Sequence, residues 1–373
     1  MGIELQNLYD DFRDAKTIKA YAKMIQVDAK KLTKPLRIME VCGGHTHTIM
    51  KYGIPQLLPK NIHFIHGPGC PVCVMPKERI DHAYVLSLQK DVILVTLGDM
   101  IKVPGSKASL QDARSKGADV RFVYSPMECV KIARENDNKK VIFFAIGFET
   151  TTPMTSALIQ TVLKQGIKNI YFHINHITVP EAMSVLLKDQ ENKIDAFIGP
   201  AHVSVIEGSK IYEVFASKYQ KPVVVSGFEP VDVMQSVHKI LKQILEGRSE
   251  VQTQYSRSVT KEGNTTAQKL NKRFFEKRSH FRWRGIGDIA QSAYQLKEEF
   301  SNLDAEKIYA DFLDTKAIDD HKLCICADIL KGKASPPECK VFGTMCTPSK
   351  PLGSCMVSSE GACSAYYKYG NLL

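Results

Sequence analysis

Arg37-Ile38-Met39-Glu40-Val41-Cys42-Gly43-Gly44-His45-Thr46-His47 is a short β-rich run that stops in a cysteine, two glycines and two histidines. Such runs, bounded by turn residues, read as strands, and a cysteine just beyond one stands at the strand's carboxyl end, where open α/β sheets place their ligands. The construction recurs at His63-Phe64-Ile65, which runs into Gly67-Pro68-Gly69-Cys70-Pro71-Val72-Cys73.

Outward from these two loops the rhythm continues. Further runs are Val92-Ile93-Leu94-Val95-Thr96, Val120-Arg121-Phe122-Val123-Tyr124, Val141-Ile142-Phe143-Phe144-Ala145-Ile146, Ile170-Tyr171-Phe172-His173-Ile174, Ala196-Phe197-Ile198 and Pro222-Val223-Val224-Val225. Segments long enough for a helix separate them, which argues for parallel βαβ units. The eight runs fall into two groups of four across a polar junction at 135–140, so the spacing predicts two small doubly wound α/β domains, 36–135 and 136–250, in preference to one closed barrel. Residues 1–35, with Leu5, Leu8, Phe12, Ile18, Tyr21, Ala22 and Ile25 at roughly helical spacing, read as amphipathic helices. After Gly247 the β-rich runs cease. Residues 251–373, together with 1–35, are expected to form a third, mostly helical and irregular unit, with a turn at Trp283-Arg284-Gly285-Ile286-Gly287.

Composition narrows the chemistry. No apolar run approaches the ~20 residues needed to cross a bilayer, and the N-terminus lacks the basic start and apolar centre of a secretory signal, so a cytoplasmic protein is expected. Lys and Arg exceed Asp and Glu by 50 to 40, but the basic residues are dispersed and only one Trp is present; the surplus reads as a solvated surface rather than a nucleic-acid footprint. Ten cysteines in a reducing compartment point to metal ligation or thiol redox rather than structural disulfides.

Six of the ten lie in the tail, at Cys324, Cys326, Cys339, Cys346, Cys355 and Cys363, in a stretch too poor in aliphatic residues for an ordinary core. Metal coordination can order such a stretch. Four thiolates can enclose zinc or an iron–sulfur cluster; the absence of paired Cys-x-x-Cys knuckles favours a cluster, without excluding zinc. Cys70 and Cys73 have the two-residue gap of a reversible disulfide, half a zinc site being the competing reading. Cys42 could be a nucleophile or a soft metal ligand, with His45 and His47 nearby. Other strand ends are polar too, at Asp99, at Glu149 to Thr151, at His173 and His176, at His202 and at Glu229, and would line one interdomain cleft.

Taken together, Cys42-Gly43-Gly44-His45-Thr46-His47, Gly67-Pro68-Gly69-Cys70-Pro71-Val72-Cys73, Gly147-Phe148-Glu149-Thr150-Thr151 and Ser358-Ser359-Glu360-Gly361-Ala362-Cys363 closely resemble the HypD family, from about Leu36 to the C-terminus. The resemblance implies a scaffold and redox accessory protein that assembles the Fe(CN)2CO group of [NiFe]-hydrogenase. It would act with a HypC-type small chaperone and a HypE-type cyanide donor, and serve the hydrogenase large subunit indirectly. It implies that Cys42 holds the iron, transient cargo that gains cyanide and carbon monoxide, with His45 as a hydrogen-bonding or proton-handling neighbour. It implies that Cys70 and Cys73 cycle between dithiol and disulfide, and that Cys326, Cys339, Cys346 and Cys363 bind a [4Fe–4S] cluster, leaving Cys324 and Cys355 spare. A cluster-dependent thiol–disulfide oxidoreductase is the alternative reading.

Overall fold

The computed structural model describes residues 10–314 and 316–370. All eight expected strands form, at Leu36–Glu40 (β1), Ile62–His66 (β2), Val92–Leu97 (β3), Asp119–Val123 (β4), Lys140–Gly147 (β5), Ile170–His176 (β6), Ala196–Pro200 (β7) and Val223–Ser226 (β8). With an edge strand at Val251–Thr253 (β9) they build two open parallel sheets with helices against their faces, ordered β2-β1-β7-β8-β9 and β4-β3-β5-β6. No barrel closes.

The strands are not grouped as four and four along the chain. β1 and β2 wait for β7 and β8, so the first sheet is built from 36–66 and 196–253, and the second, 92–176, is inserted between them. The boundary expected near residue 135 falls inside the second sheet, between β4 and β5. The reason is pairing register: Ile38 lies beside Ala196 and Glu40 beside Ile198, an association of distant segments that local pattern does not encode.

The region after Gly247 carries short strands in addition to the helical and irregular structure expected there. Val251–Thr253 (β9) adds an edge strand beside β8, and two short antiparallel ladders follow, Phe275–Lys277 with Tyr294–Leu296 and His280–Trp283 with Gly287–Ala290. The Trp283 to Gly287 segment is the turn of the second hairpin, as expected. The region is therefore partly β. The tail beyond it holds only short helical pieces until Ala362–Tyr369.

Of the N-terminal pattern, Leu5 and Leu8 lie outside the described residues. Ile18, Tyr21, Ala22 and Ile25 fall on the helix Ala15–Ala29, which is capped by the Asp14 carboxylate accepting from the Thr17 amide at 2.7 Å. Its apolar face packs on the helix Pro230–Leu245 and the first sheet. A second core fills one face of the second sheet and contains Cys129, an ordinary buried thiol. The largest core is shared by both sheets, the hairpin at Phe281 to Ile289 and the tail cysteines, so the tail packs onto the α/β body. Among the described residues no helix is long and apolar enough to cross a membrane.

Candidate functional site

In each sheet the chain adds strands first on one side and then on the other, and the crevice at that reversal is where α/β sheets bind ligands. In the first sheet the reversal lies between β1 and β7, and in the second between β3 and β5. The loops that leave these four strands carry Cys42, His202, Asp99 and Phe148, and all four residues line one cavity of ≈ 400 Å³. A second cavity, ≈ 720 Å³, lies on the other side of Cys42 and is lined by Phe12, His47, Tyr52, Phe228 and Arg257 among others. Cys42, His202, Ser359 and Glu360 border both.

Cys42 is held from behind. It precedes the helix Gly43–Lys51, and its amide donates to Glu40 Oε2 at 3.1 Å. Glu40 is fully buried at the end of β1, where its other oxygen accepts from the Thr46 hydroxyl and from His66 Nδ1 at 2.8 Å. Burial pushes the Glu40 carboxyl above its usual range, with His66 and Thr46 opposing.

Three glycines bring the cysteine loops together. A Cβ on Gly69 would stand 2.2 Å from the Cys42 nitrogen, one on Gly43 2.3 Å from Glu360 Cβ, and one on Gly44 2.8 Å from the Phe228 ring. The loop of Cys70 therefore lies directly on the backbone of Cys42, and the tail segment at Glu360 lies directly on Gly43. Gly43 is spent on this internal packing and on starting a helix, whereas Gly44, besides packing on Phe228, also lines the larger cavity.

Two influences compete at the Cys42 thiol. The amides of Gly44 and His45, at the start of the helix, favour thiolate, whereas burial and the nearby Glu360 carboxyl oppose it. Burial wins, and the thiol is held well above its ordinary pKa. Cys42 is thus a protonated thiol, partly exposed to the cleft, that a soft metal would have to deprotonate on binding.

His45 does not face either cavity. Its Nε2 donates to the carbonyls of Gly227 (3.0 Å) and Ser226 (3.2 Å), its ring stacks on Phe228, and its Nδ1 is buried without a partner. Burial lowers its pKa to about 4, so it is neutral and structural in its contacts, not a proton shuttle at the cleft. His47 and His202 are the cleft imidazoles, and burial lowers the pKa of both.

Cys70 and Cys73 are both buried, with the Cys73 amide donating to Cys70 Sγ at 3.3 Å. Burial, with hydrogen bonds to Cys355 and Cys70, raises the Cys73 thiol far above its usual pKa. Cys355 in turn is in hydrogen-bond contact with Cys326 and Cys73, and accepting from these two thiols lowers its own pKa. Ser354 anchors this junction through its hydroxyl, which donates to the Cys73 carbonyl at 2.6 Å. Cys355, spare by sequence spacing, is the middle of an unbroken row of sulfurs from Cys70 to Cys326.

Cys324 is not spare either. Cys324, Cys326, Cys339, Cys346 and Cys363 surround one apolar void beside Ile329, Val341, Phe342 and Met356. Gly353 lies so close to the Cys324 and Cys326 sulfurs that a Cβ there would be 2.8 Å from each. Five soft donors around one apolar void are the right chemistry for an iron–sulfur cluster. The void is ≈ 10 Å³, however, and among the described residues no three His, Cys, Asp or Glu side chains converge as ligands to a single ion, so the thiols would spread apart to admit a cluster. Spacing could not separate Cys324 from Cys326, because only one of them also touches Cys355 and that contact is tertiary. His202 was expected at a strand end lining a cleft, and it does border the Cys42 cavities; Glu360 was not expected there, its place in a glycine-containing motif beside Cys363 being the only signal.

The family model HypD, described as "Hydrogenase formation hypA family", matches residues 16–370. The hydrogenase expression/formation protein HupD of Azotobacter chroococcum mcd 1 is 48% identical over 367 residues, covering 97% of this chain and 96% of the relative. The hydrogenase maturation factor HypD of Azotobacter vinelandii is likewise 48% identical over 367 residues, with the same coverage. That of Escherichia coli (strain K12) is 42% identical over 364 residues, 96% of this chain and 97% of the relative.

Proposed function

The chain belongs to the HypD family of hydrogenase maturation factors, and we propose that within this role it holds the iron atom of the Fe(CN)2CO group at Cys42 while the diatomic ligands are attached. The observation that carries the reading is the position of Cys42, a single soft donor at the meeting point of both sheets' ligand crevices, bordered by two separate cavities. Two approaches to one sulfur suit a reaction that needs a ligand from a HypC-type chaperone and a small group from a HypE-type cyanide donor. Cyanide and carbon monoxide favour low-spin iron, which a thiolate anchors well.

The chain's own groups prepare that sulfur. Glu40 fixes the Cys42 amide, the helix Gly43–Lys51 presents its first N–H groups to the sulfur, and Asp99 and Glu360 give the smaller cavity two carboxyls for a cationic metal. The proton that burial keeps on the Cys42 thiol leaves when iron binds, and Glu360, which borders the same two cavities and whose own pKa burial raises, is the acceptor we assign to it.

Electron supply is the second half of the role. The tail thiols Cys324, Cys339, Cys346 and Cys363 would hold a [4Fe–4S] cluster, which supplies electrons one at a time when bound. This set departs from the one the family resemblance implies by exchanging Cys326 for Cys324: Cys326 borders the same void and meets Cys324 and Cys363, but it alone of the five cysteines around the void also meets Cys355, and we assign it to that pair. Cys326 with Cys355, and Cys70 with Cys73, then form two dithiols in contact through Cys355 and Cys73. Thiol–disulfide exchange between them carries an electron pair toward the loop that packs on Cys42. An oxidoreductase for protein disulfides fits less well, since its attacking thiol must be reachable and Cys70 and Cys73 are both buried.

The test is an infrared spectrum of the anaerobically isolated complex with its small partner. Metal-bound cyanide and carbonyl bands are expected in the wild type and lost in Cys42→Ser, which replaces a soft sulfur by a hydroxyl while leaving the tail intact. Bands at wild-type intensity in Cys42→Ser would place the anchor elsewhere.

A further inference from the structure

Two tyrosines of the C-terminal helix Ala362–Tyr369 seat it on the helix that follows β1 and on the end of β2. The Tyr369 ring meets His47 edge-on at 5.4 Å, and the Tyr366 ring meets His66 edge-on at 5.4 Å with its hydroxyl 3.3 Å from His66 Nε2. The second contact continues inward. His66 Nδ1 lies 2.8 Å from Glu40 Oε1, and the other oxygen of Glu40 accepts from the Cys42 amide at 3.1 Å. An unbroken chain of hydrogen bonds therefore runs from a half-buried phenol to the backbone of Cys42.

The direction of this chain follows from what each group can give or take. Glu40 is fully buried, and among the described residues no lysine or arginine pairs with it. Its two oxygens are met instead by the Cys42 amide, the Thr46 hydroxyl and His66 Nδ1. A buried carboxylate that loses a donor bears the full cost of its desolvation. His66 serves Glu40 only when Nδ1 holds the ring proton, which leaves a lone pair on Nε2, and the Tyr366 hydroxyl is the donor that this lone pair requires. The backbone around the chain is fixed as well: the Gly67 amide donates to the Glu40 carbonyl at 2.9 Å, and the Gly43 amide to the Gly69 carbonyl at 3.0 Å.

We propose that His66 and Tyr366 are positioning residues for Cys42: Tyr366 fixes the tautomer of His66, His66 donates to one oxygen of Glu40, and the other oxygen holds the Cys42 amide in place. The consequence for iron rests on the reading of Cys42 as the anchor given above. Neither residue is a ligand. Both act through Glu40, as the hydrogen-bonding groups behind a metal-binding side chain orient it, and removal of such groups costs about 10–100-fold in metal affinity or activity. Tyr366 thereby makes the placement of Cys42 depend on the seating of the C-terminal helix.

Full-length protein with nitrogen-15 in its histidines reports the tautomer by NMR, the His66 signals being identified by their loss in His66→Asn. The wild-type ring is expected to carry its proton on Nδ1, and Tyr366→Phe to move it toward Nε2. In parallel, anaerobic reduced protein is alkylated and scored at Cys42 by mass spectrometry, and the infrared bands of the complex with its small partner are compared. His66→Leu should speed alkylation of Cys42 and weaken the bands about 10–100-fold; Tyr366→Phe should move both the same way by less. His66→Asn, which returns an N–H to the place of Nδ1, should recover most of both. Tyr366 is half-buried, so its variant keeps the test decisive if His66→Leu does not fold. A wild-type ring protonated on Nε2 or on both nitrogens would overturn the proposal, as would a tautomer unmoved by Tyr366→Phe, Cys42 alkylation unchanged in both variants, or His66→Asn no better than His66→Leu. Bands that persist in Cys42→Ser would sink the iron anchor alone, since the tautomer and alkylation readouts involve no iron.

Discussion

Gly69→Ala is a one-carbon change that tests whether the position of Cys42 is set by the neighbouring loop. The added Cβ would stand 2.2 Å from the Cys42 nitrogen and 2.4 Å from its Cα, against ordinary contacts that begin at 3.4 Å. Every clashing atom is backbone, so no side chain can swing aside, and Cys42 and the Cys70 loop must separate by more than about 1 Å. Overpacking of this kind costs about 1–3 kcal/mol, which a chain of this size should survive with a lowered unfolding midpoint. Function is the more sensitive readout, because a displacement near 1 Å at a reacting centre costs on the order of 10²-fold. The assay is restoration of hydrogenase activity in cells lacking the native factor, alongside thermal unfolding of the purified variant and the infrared bands of the complex. Gly370→Ala, where an added Cβ meets nothing within 4 Å among the described residues, is the control and should match the wild type. If Gly69→Ala retained wild-type infrared bands and maturation, the close packing of the two loops would not be what places the sulfur.

Two further outcomes follow from the same contacts. Cys324→Ala, Cys339→Ala, Cys346→Ala and Cys363→Ala should each lose the cluster's visible absorbance, while Cys326→Ala and Cys355→Ala keep it; loss in Cys326→Ala with retention in Cys324→Ala would restore the assignment the family resemblance implies. Burial raises the folded-state pKa of Glu149 to about 8, so the folded chain keeps a proton that the unfolded chain releases, and wild-type stability falls as pH rises from about 4.5 to 8. The unfolding midpoint of Glu149→Gln should therefore gain on the wild type steadily across that window, and a constant difference would show that Glu149 is not held neutral.

The eight strands were legible because a strand declares itself locally: a few β-branched or apolar residues, then Gly, Pro, His or Asp. The motif loops were legible for the same reason, since chemistry in an α/β sheet sits where strands stop. The ladders between 275 and 296 escaped notice because their strands are three or four residues long and carry Glu276, Lys277, Arg282 and Asp288.

The sequence by itself determined the fold class, the carboxyl-end placement of Cys42 and Cys70, and a cysteine-rich tail with too few aliphatic residues to fold as an ordinary core. Only the tertiary structure decided that β1 pairs with β7 across the inserted sheet. It also turned His45 inward against the carbonyls at the end of β8, and it placed Cys355 between Cys73 and Cys326. The physical reason is one of range: propensity and periodicity act over a few residues, whereas strand register, glycine-permitted contact and sulfur-to-sulfur approach depend on which distant segments burial brings together.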